Sequence, residues 1–125
     1  MTDREAQSSY AFDKSKRLLN AHDYKAVFDH AQWKISSKEL LCLAIPNSFD
    51  SPRLGLVIAK KNVKLAVQRN RVKRVIRDNF RLHLQDMPNA DLVILARRGL
   101  SELSNEDLNR LLNKQWQRLS KKAQK

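Results

Sequence analysis

The sequence predicts an α+β protein, an α/β sandwich of element order α-β-β-β-α-β-α around a four-stranded, partly covered sheet. Three observations carry this. Short apolar runs at Glu39–Pro46, Arg53–Ala59 and Asp91–Arg97 have the length and content of buried strands. Two capping-box spacings, Asn20 with Asp23 and Ser104 with Asp107, each introduce an apolar stripe at helical spacing. Between the third and fourth strands lies Lys60–Arg81, which is amphipathic at helical period.

The elements follow in chain order. After Asn20, the residues Tyr24, Val27, Phe28 and Ala31 make one apolar stripe, with Leu19 and Tyr24 as the hydrophobic staple. Two aromatics one turn apart can pack under a sheet or stack on bases; packing is the commoner fate. Trp33–Ser36 is a short strand. Glu39–Pro46 (ELLCLAIP) reads as a central strand, and Asn47–Pro52 (NSFDSP) is turn chemistry. Arg53–Ala59 follows, and so short a loop predicts that these two strands are antiparallel neighbours. Asn62–Leu65 leads into a helix from about Ala66 to Leu84. At 100° per residue, Val72, Val75, Ile76, Phe80, Leu82 and His83 share one side, with Asn79 among them. Asn70, Arg71, Lys73, Arg74, Arg77 and Arg81 take the other. Met87–Ala90 is a turn before the strand Asp91–Arg97. Leu103 and Leu108 staple the last helix, whose stripe is Leu108, Leu111, Leu112, Trp116 and Leu119, ending near Ser120.

Length and composition bound the functions. At 125 residues the chain holds one domain, placed at residues 11 to 120. Residues 1 to 10 read as a flexible N-terminus and residues 121 to 125 as a basic tail. No apolar run approaches membrane-span length, and no secretory signal is visible. The single Cys42 cannot form an internal disulfide, which fits the cytoplasm. With two glycines, no Gly-rich phosphate loop can be built. The charge is concentrated. Lys60–Arg81 carries nine Lys or Arg against one acid, Asp78, a net +8 in a chain of total +12. That concentration points to a polyanion partner.

A catalytic site is not visible. His22, His30 and His83 have no partner motif, and Cys42 lies in an apolar run as a small buried hydrophobe. No spacing fits zinc, and the carboxylates are too scattered for a two-metal nuclease centre. The catalytic and metal sets are therefore empty. The cationic helix face is the positive signal, because Arg and Lys on one face meet phosphates. Solvated faces usually mix signs, whereas this one holds a single acid. Charge alone does not separate DNA from RNA.

Residues along the chain carry a resemblance. Lys60-Lys61 followed by Ala66-Val67-Gln68-Arg69-Asn70-Arg71-Val72-Lys73-Arg74 resembles the signature of the bacterial ribonuclease P protein subunit, the Arg-Asn-Arg motif family. Phe12, Lys14, Arg17 and Leu18 are similar to its N-terminal segment, and Asp23–Phe28 to its first helix. Arg53–Lys61 and Asp91–Arg97 resemble the strand feeding the motif and the last strand. The similarity spans residues 12 to about 119 in the family's order.

The resemblance implies a subunit that binds a large catalytic RNA and assists removal of the 5′ leader from precursor tRNA. The RNA and its Mg²⁺ ions perform the hydrolysis, with one protein per RNA and no cofactor assigned to the protein. It implies a left-handed βαβ crossover around the motif helix, as in a ribosomal-protein domain, where the general rule predicts a right-handed one. It places Lys60, Lys61, Lys64, Arg69, Asn70, Arg71, Lys73, Arg74, Arg77 and Arg81 toward the catalytic RNA. It places Phe12, Lys14, Arg17, Tyr24 and Phe28 along a leader cleft, which gives the two helix aromatics a mixed core and cleft role. Where some members carry a further aromatic on the central strand, this chain has Leu40-Leu41-Cys42-Leu43. Other readings are weaker. A basic ribosomal protein would share the charge but not the motif order. A DNA-reading helix would project from a turn instead of lying on a sheet. A membrane-surface helix would expose more apolar area.

Overall fold

The computed structural model describes residues 16–18 and 20–124. Phe12, Lys14 and the staple residue Leu19 lie outside them. Helix α1 (Ala21–His30) begins where predicted, because Asn20 Oδ1 accepts the Asp23 backbone N–H at 2.9 Å. Strands β1 (Trp33–Ser36), β2 (Leu40–Pro46) and β3 (Arg53–Val57) follow. The basic helix is α2 (Ala66–Leu82), two residues shorter than predicted, and a 3-10 turn at Leu84–Asp86 follows it. Strand β4 (Ala90–Ala96) and helix α3 (Asn105–Ala123) complete the chain. Ser104 Oγ caps α3 by accepting the Asp107 N–H at 3.0 Å. The helix continues three residues past Ser120, so Lys121 and Lys122 are helical, not tail.

The sheet order is β1-β2-β4-β3, antiparallel except for the parallel pair β3–β4. This corrects the predicted pairing of β2 with β3. Their directions are opposed as expected, but β4 lies between them. Three adjacent strands separate their outer axes by about 10 Å, which the six-residue loop 47–52 spans easily. Asn47 N–H bonds Asn89 O at 3.1 Å, tying that loop across the start of β4. Composition explains the insertion. Ala90–Ala96 is buried at every position but one, so β4 takes the centre, where both faces are covered. β3 and β4 are parallel and joined through α2, so this unit is a βαβ crossover.

One face of the sheet packs on α2 and α3. Ile35, Leu40, Cys42, Ala44, Leu54, Leu92 and Ile94 meet Val72, Ile76 and Phe80 from α2 and Leu108, Leu112, Trp116 and Leu119 from α3. Phe80 and Trp116 meet edge to face, centroids 5.8 Å apart. Burial pushes the Cys42 thiol up to about 12, so it stays protonated as a packing group. Among the described residues, α1 and Leu18 cover the opposite face. There Leu18, Val27 and Val93 are buried, while Tyr24, Leu43, Ile45, Val57 and Leu95 are half-covered. Among the described residues this ten-residue helix roofs only part of the four strands, and the half-covered side chains line an apolar groove beside it.

Two positions on the predicted apolar stripe of α2 fall elsewhere. Leu82 is 70% exposed, because the helix ends there and the chain turns away. His83 caps the helix end instead of packing; its Nδ1 lies 2.8 Å from Asn79 O.

Candidate nucleic-acid interface

The cationic face of α2 divides into two sets. Arg69 and Arg71 are occupied within the protein. Arg69 Nη1 donates to Val63 O at 3.0 Å and Lys64 O at 2.8 Å, which fixes the loop before the helix. Arg71 donates to Gln68 Oε1 at 2.9 Å, to Asn105 Oδ1 at 2.6 Å and to Ser101 O at 3.1 Å. It therefore ties α2 to the start of α3. The side chains of Lys73, Arg74, Arg77 and Arg81 make no hydrogen bond or ion pair among the described residues, and neither do those of Lys60, Lys61 and Lys64. Asn70 is exposed beside them. These free cations turn toward solvent because Val72, Ile76, Asn79 and Phe80 hold the opposite side of the helix in the core. Asn79, buried on that inner side, donates to Asn109 and Asn113 and accepts from Trp116, which clamps α2 onto α3.

The second surface is the groove beside α1. Phe28 is 43% exposed, one turn from Tyr24. Tyr24 lies over β3: the Leu56 N–H donates to its Oη at 3.2 Å. The ring occupies the space a side chain at residue 55 would fill. A Cβ on Gly55 would stand 2.7 Å from Tyr24 Cζ. Gly55 is therefore required by this close approach. Gly55→Ala is expected to lower stability by about 1–3 kcal/mol by displacing the ring. In a Tyr24→Ala background the same change should cost little; equal costs in both backgrounds, read by denaturant unfolding, would refute the contact.

Arg17 pairs with Leu54 across the outer edge of β3, and Leu18 N–H bonds Leu54 O at 3.0 Å. The other flank of α1 holds a largely buried ion pair that sequence reasoning missed. Arg53 donates through Nε and Nη2 to both oxygens of Asp91, at 2.8 and 2.6 Å. Asn47 Nδ2 adds a third bond to Asp91, and Asp23 stands 3.8 Å from Arg53. The guanidinium also stacks 4.3 Å from the Phe49 ring centroid. The bond to Asp91 raises the Arg53 pKa further above its ordinary value. Partners 38 residues apart leave no local spacing signal. Among the described residues no group of His, Cys, Asp or Glu has metal-site geometry, and no helix is long and apolar enough to cross a membrane.

Fold and surfaces together define a small α+β protein that presents a sheet-backed cationic helix on one side and an apolar groove on the other. A sequence model described as Ribonuclease P matches residues 12–120. The chain is 52% identical over 113 residues to the ribonuclease P protein component of Pseudomonas putida strain GB-1, covering 90% of this chain and 84% of that protein. It is 53% identical over 108 residues to the Pseudomonas aeruginosa PAO1 protein component, covering 86% and 80%. The RNase P protein from Thermotoga maritima superposes with a TM-score of 0.71 at 28% identity, covering 81% of this chain and 96% of that one. The Staphylococcus aureus RNase P protein shares the fold, with a TM-score of 0.77 at 24% identity over 83% and 94% of the two chains. The chain belongs to the ribonuclease P protein family.

Proposed function

We propose that this subunit of a tRNA-processing endoribonuclease docks its catalytic RNA on the outward face of α2 and holds the unpaired 5′ leader of precursor tRNA in the groove beside α1. The observation that carries the reading is the row of uncompensated cations at Lys73, Arg74, Arg77 and Arg81, turned outward by a buried inner face. Lys60, Lys61, Lys64 and Asn70 extend that face at its N-terminal end. Arg69 and Arg71 build its shape through their backbone and side-chain bonds and keep remaining donors for phosphate.

In the groove, Phe28 and Tyr24 offer ring faces, and Leu43, Val57 and Leu95 offer an apolar floor. Stacking of this kind accepts any base, which suits leaders of varied sequence. Arg17 stands at the β3 edge of the groove. Hydrolysis belongs to the RNA and its Mg²⁺ ions. One protein per RNA, working in the cytoplasm, completes the reading.

Reconstitution with a bacterial ribonuclease P RNA at low magnesium tests both surfaces. Changing Lys73, Arg74 and Arg77 together to Gln should reduce the slope of log affinity against log salt by about 2–3, near 0.9 for each phosphate no longer neutralised. An unchanged slope would reject α2 as the docking face. Phe28→Ala should weaken precursor tRNA binding about tenfold while sparing mature tRNA. Equal weakening of both would make Phe28 a packing residue only.

A further inference from the structure

The free edge of β1 carries a third cationic cluster, separate from the α2 face. Helix α3 lies behind the sheet, and two of its side chains reach round this edge. Arg118 Nη1 donates to Ser36 O at 3.0 Å, and Lys122 Nζ donates to Lys34 O at 3.1 Å. Lys34 itself is exposed between them. The two carbonyls stand two residues apart on one strand, about 6.8 Å. None of the three cations forms an ion pair among the described residues. Their acceptors are neutral, so three positive charges stand along one edge without a counter-charge.

The position of this edge gives it a partner. In the β1–β2 register Lys34 faces Leu43 and Ser36 faces Leu41. Directly paired residues share a face of the sheet. Lys34 therefore projects on the α1 side, one strand spacing of about 4.8 Å from the groove floor at Leu43. A strand of RNA whose bases lie on the groove floor and which leaves it over β1 brings its phosphates to these cations. We propose that Lys34, Arg118 and Lys122 form a phosphate rail on the free edge of β1, carrying the backbone of the unpaired RNA leader beyond the groove. Arg97, whose guanidinium donates to Ser36 Oγ and Ser37 O, adds a further cation at the C-terminal end of β1. The rail rests on the reading of the groove as the leader site.

The test uses the assembled enzyme with Arg118→Gln and Lys122→Gln combined. Glutamine removes the charge but keeps an amide donor for the two carbonyls, so the strand edge stays covered. Binding is measured for mature tRNA and for precursors with leaders of about two and about ten nucleotides, a span within the usual site size for single strands. The long leader should lose about tenfold in affinity, with a salt slope shallower by about 0.7 for each phosphate that the rail no longer neutralises. The short leader and mature tRNA should be unaffected. Equal loss on all three substrates, or no loss on any, overturns the rail. In either case a wild-type protein that still favours the long leader leaves the groove reading standing. If the wild-type enzyme itself does not distinguish the two leaders, the groove reading falls and the rail falls with it.

Discussion

Asp91→Ala is expected to lower the unfolding free energy by about 3–5 kcal/mol, the largest loss from any single polar change in this protein. The carboxylate accepts two bonds from Arg53 and one from Asn47, at the junction of β4, β3 and the 47–52 loop. Removing it strands a guanidinium whose side chain is only 17% exposed. Asp23, at 3.8 Å, is too distant to replace the forked pair. Asp91→Asn should cost less, because it keeps one acceptor for Arg53. Denaturant titration of both variants is the measurement. A loss under about 1 kcal/mol for alanine would mean that water replaces the carboxylate and that the pair is in effect a surface one.

Asn79→Ala is expected to cost about 3 kcal/mol, because it breaks one buried and two partly buried bonds at once. One buried amide accepts from Trp116 Nε1 at 2.6 Å and donates to Asn109 and Asn113 at 2.8 and 3.1 Å. Its loss leaves the buried indole N–H without a partner, and unsatisfied buried groups cost about 1–3 kcal/mol each. Trp116→Phe removes that N–H and keeps an aromatic ring in the site. The double variant Asn79→Ala with Trp116→Phe should therefore lose less than the sum of the two single changes. Strict additivity of the unfolding energies would show that the hub does not act as a unit. Because this clamp aims α2, Asn79→Ala should also weaken RNA binding by the proposed docking face while leaving its cations in the sequence.

The helices were legible because their signals are local. Capping residues three apart and apolar stripes at helical period need only one stretch of chain, and Asn20 and Ser104 both cap as expected. The strands were legible as strands, since ELLCLAIP and DLVILAR are short apolar runs that only burial in a sheet accommodates. Their order was not. Nothing in Asn47–Pro52 signals that the loop steps over a strand formed much later in the chain. The same limit governs the surfaces. The cationic face could be drawn on a helical projection, but whether an arginine on it is free or spent depends on distant partners. Arg71 is occupied by Ser101 and Asn105, and Arg53 finds Asp91 only through the fold. Asn79 fell on the apolar side of the projection, which marked it as unusual. Its role as a clamp required the facing helix.

The placement of β4 sets the order in which the molecule can assemble. As the chain leaves the ribosome, β1 and β2 can pair as a hairpin, but β3 has only the short bridge to Arg17 and Leu18 until residues 90–96 emerge. During that interval Lys60–Arg81 is already outside, charged and without a core to rest on. The central strand, once made, must pair with β2 on one side and β3 on the other, closing the whole sheet in one step. Such late, non-local pairing slows folding and makes it all-or-none. Until β4 arrives, the nine cations of this stretch repel one another with no core to hold them, and neutralising them is what a polyanion would do.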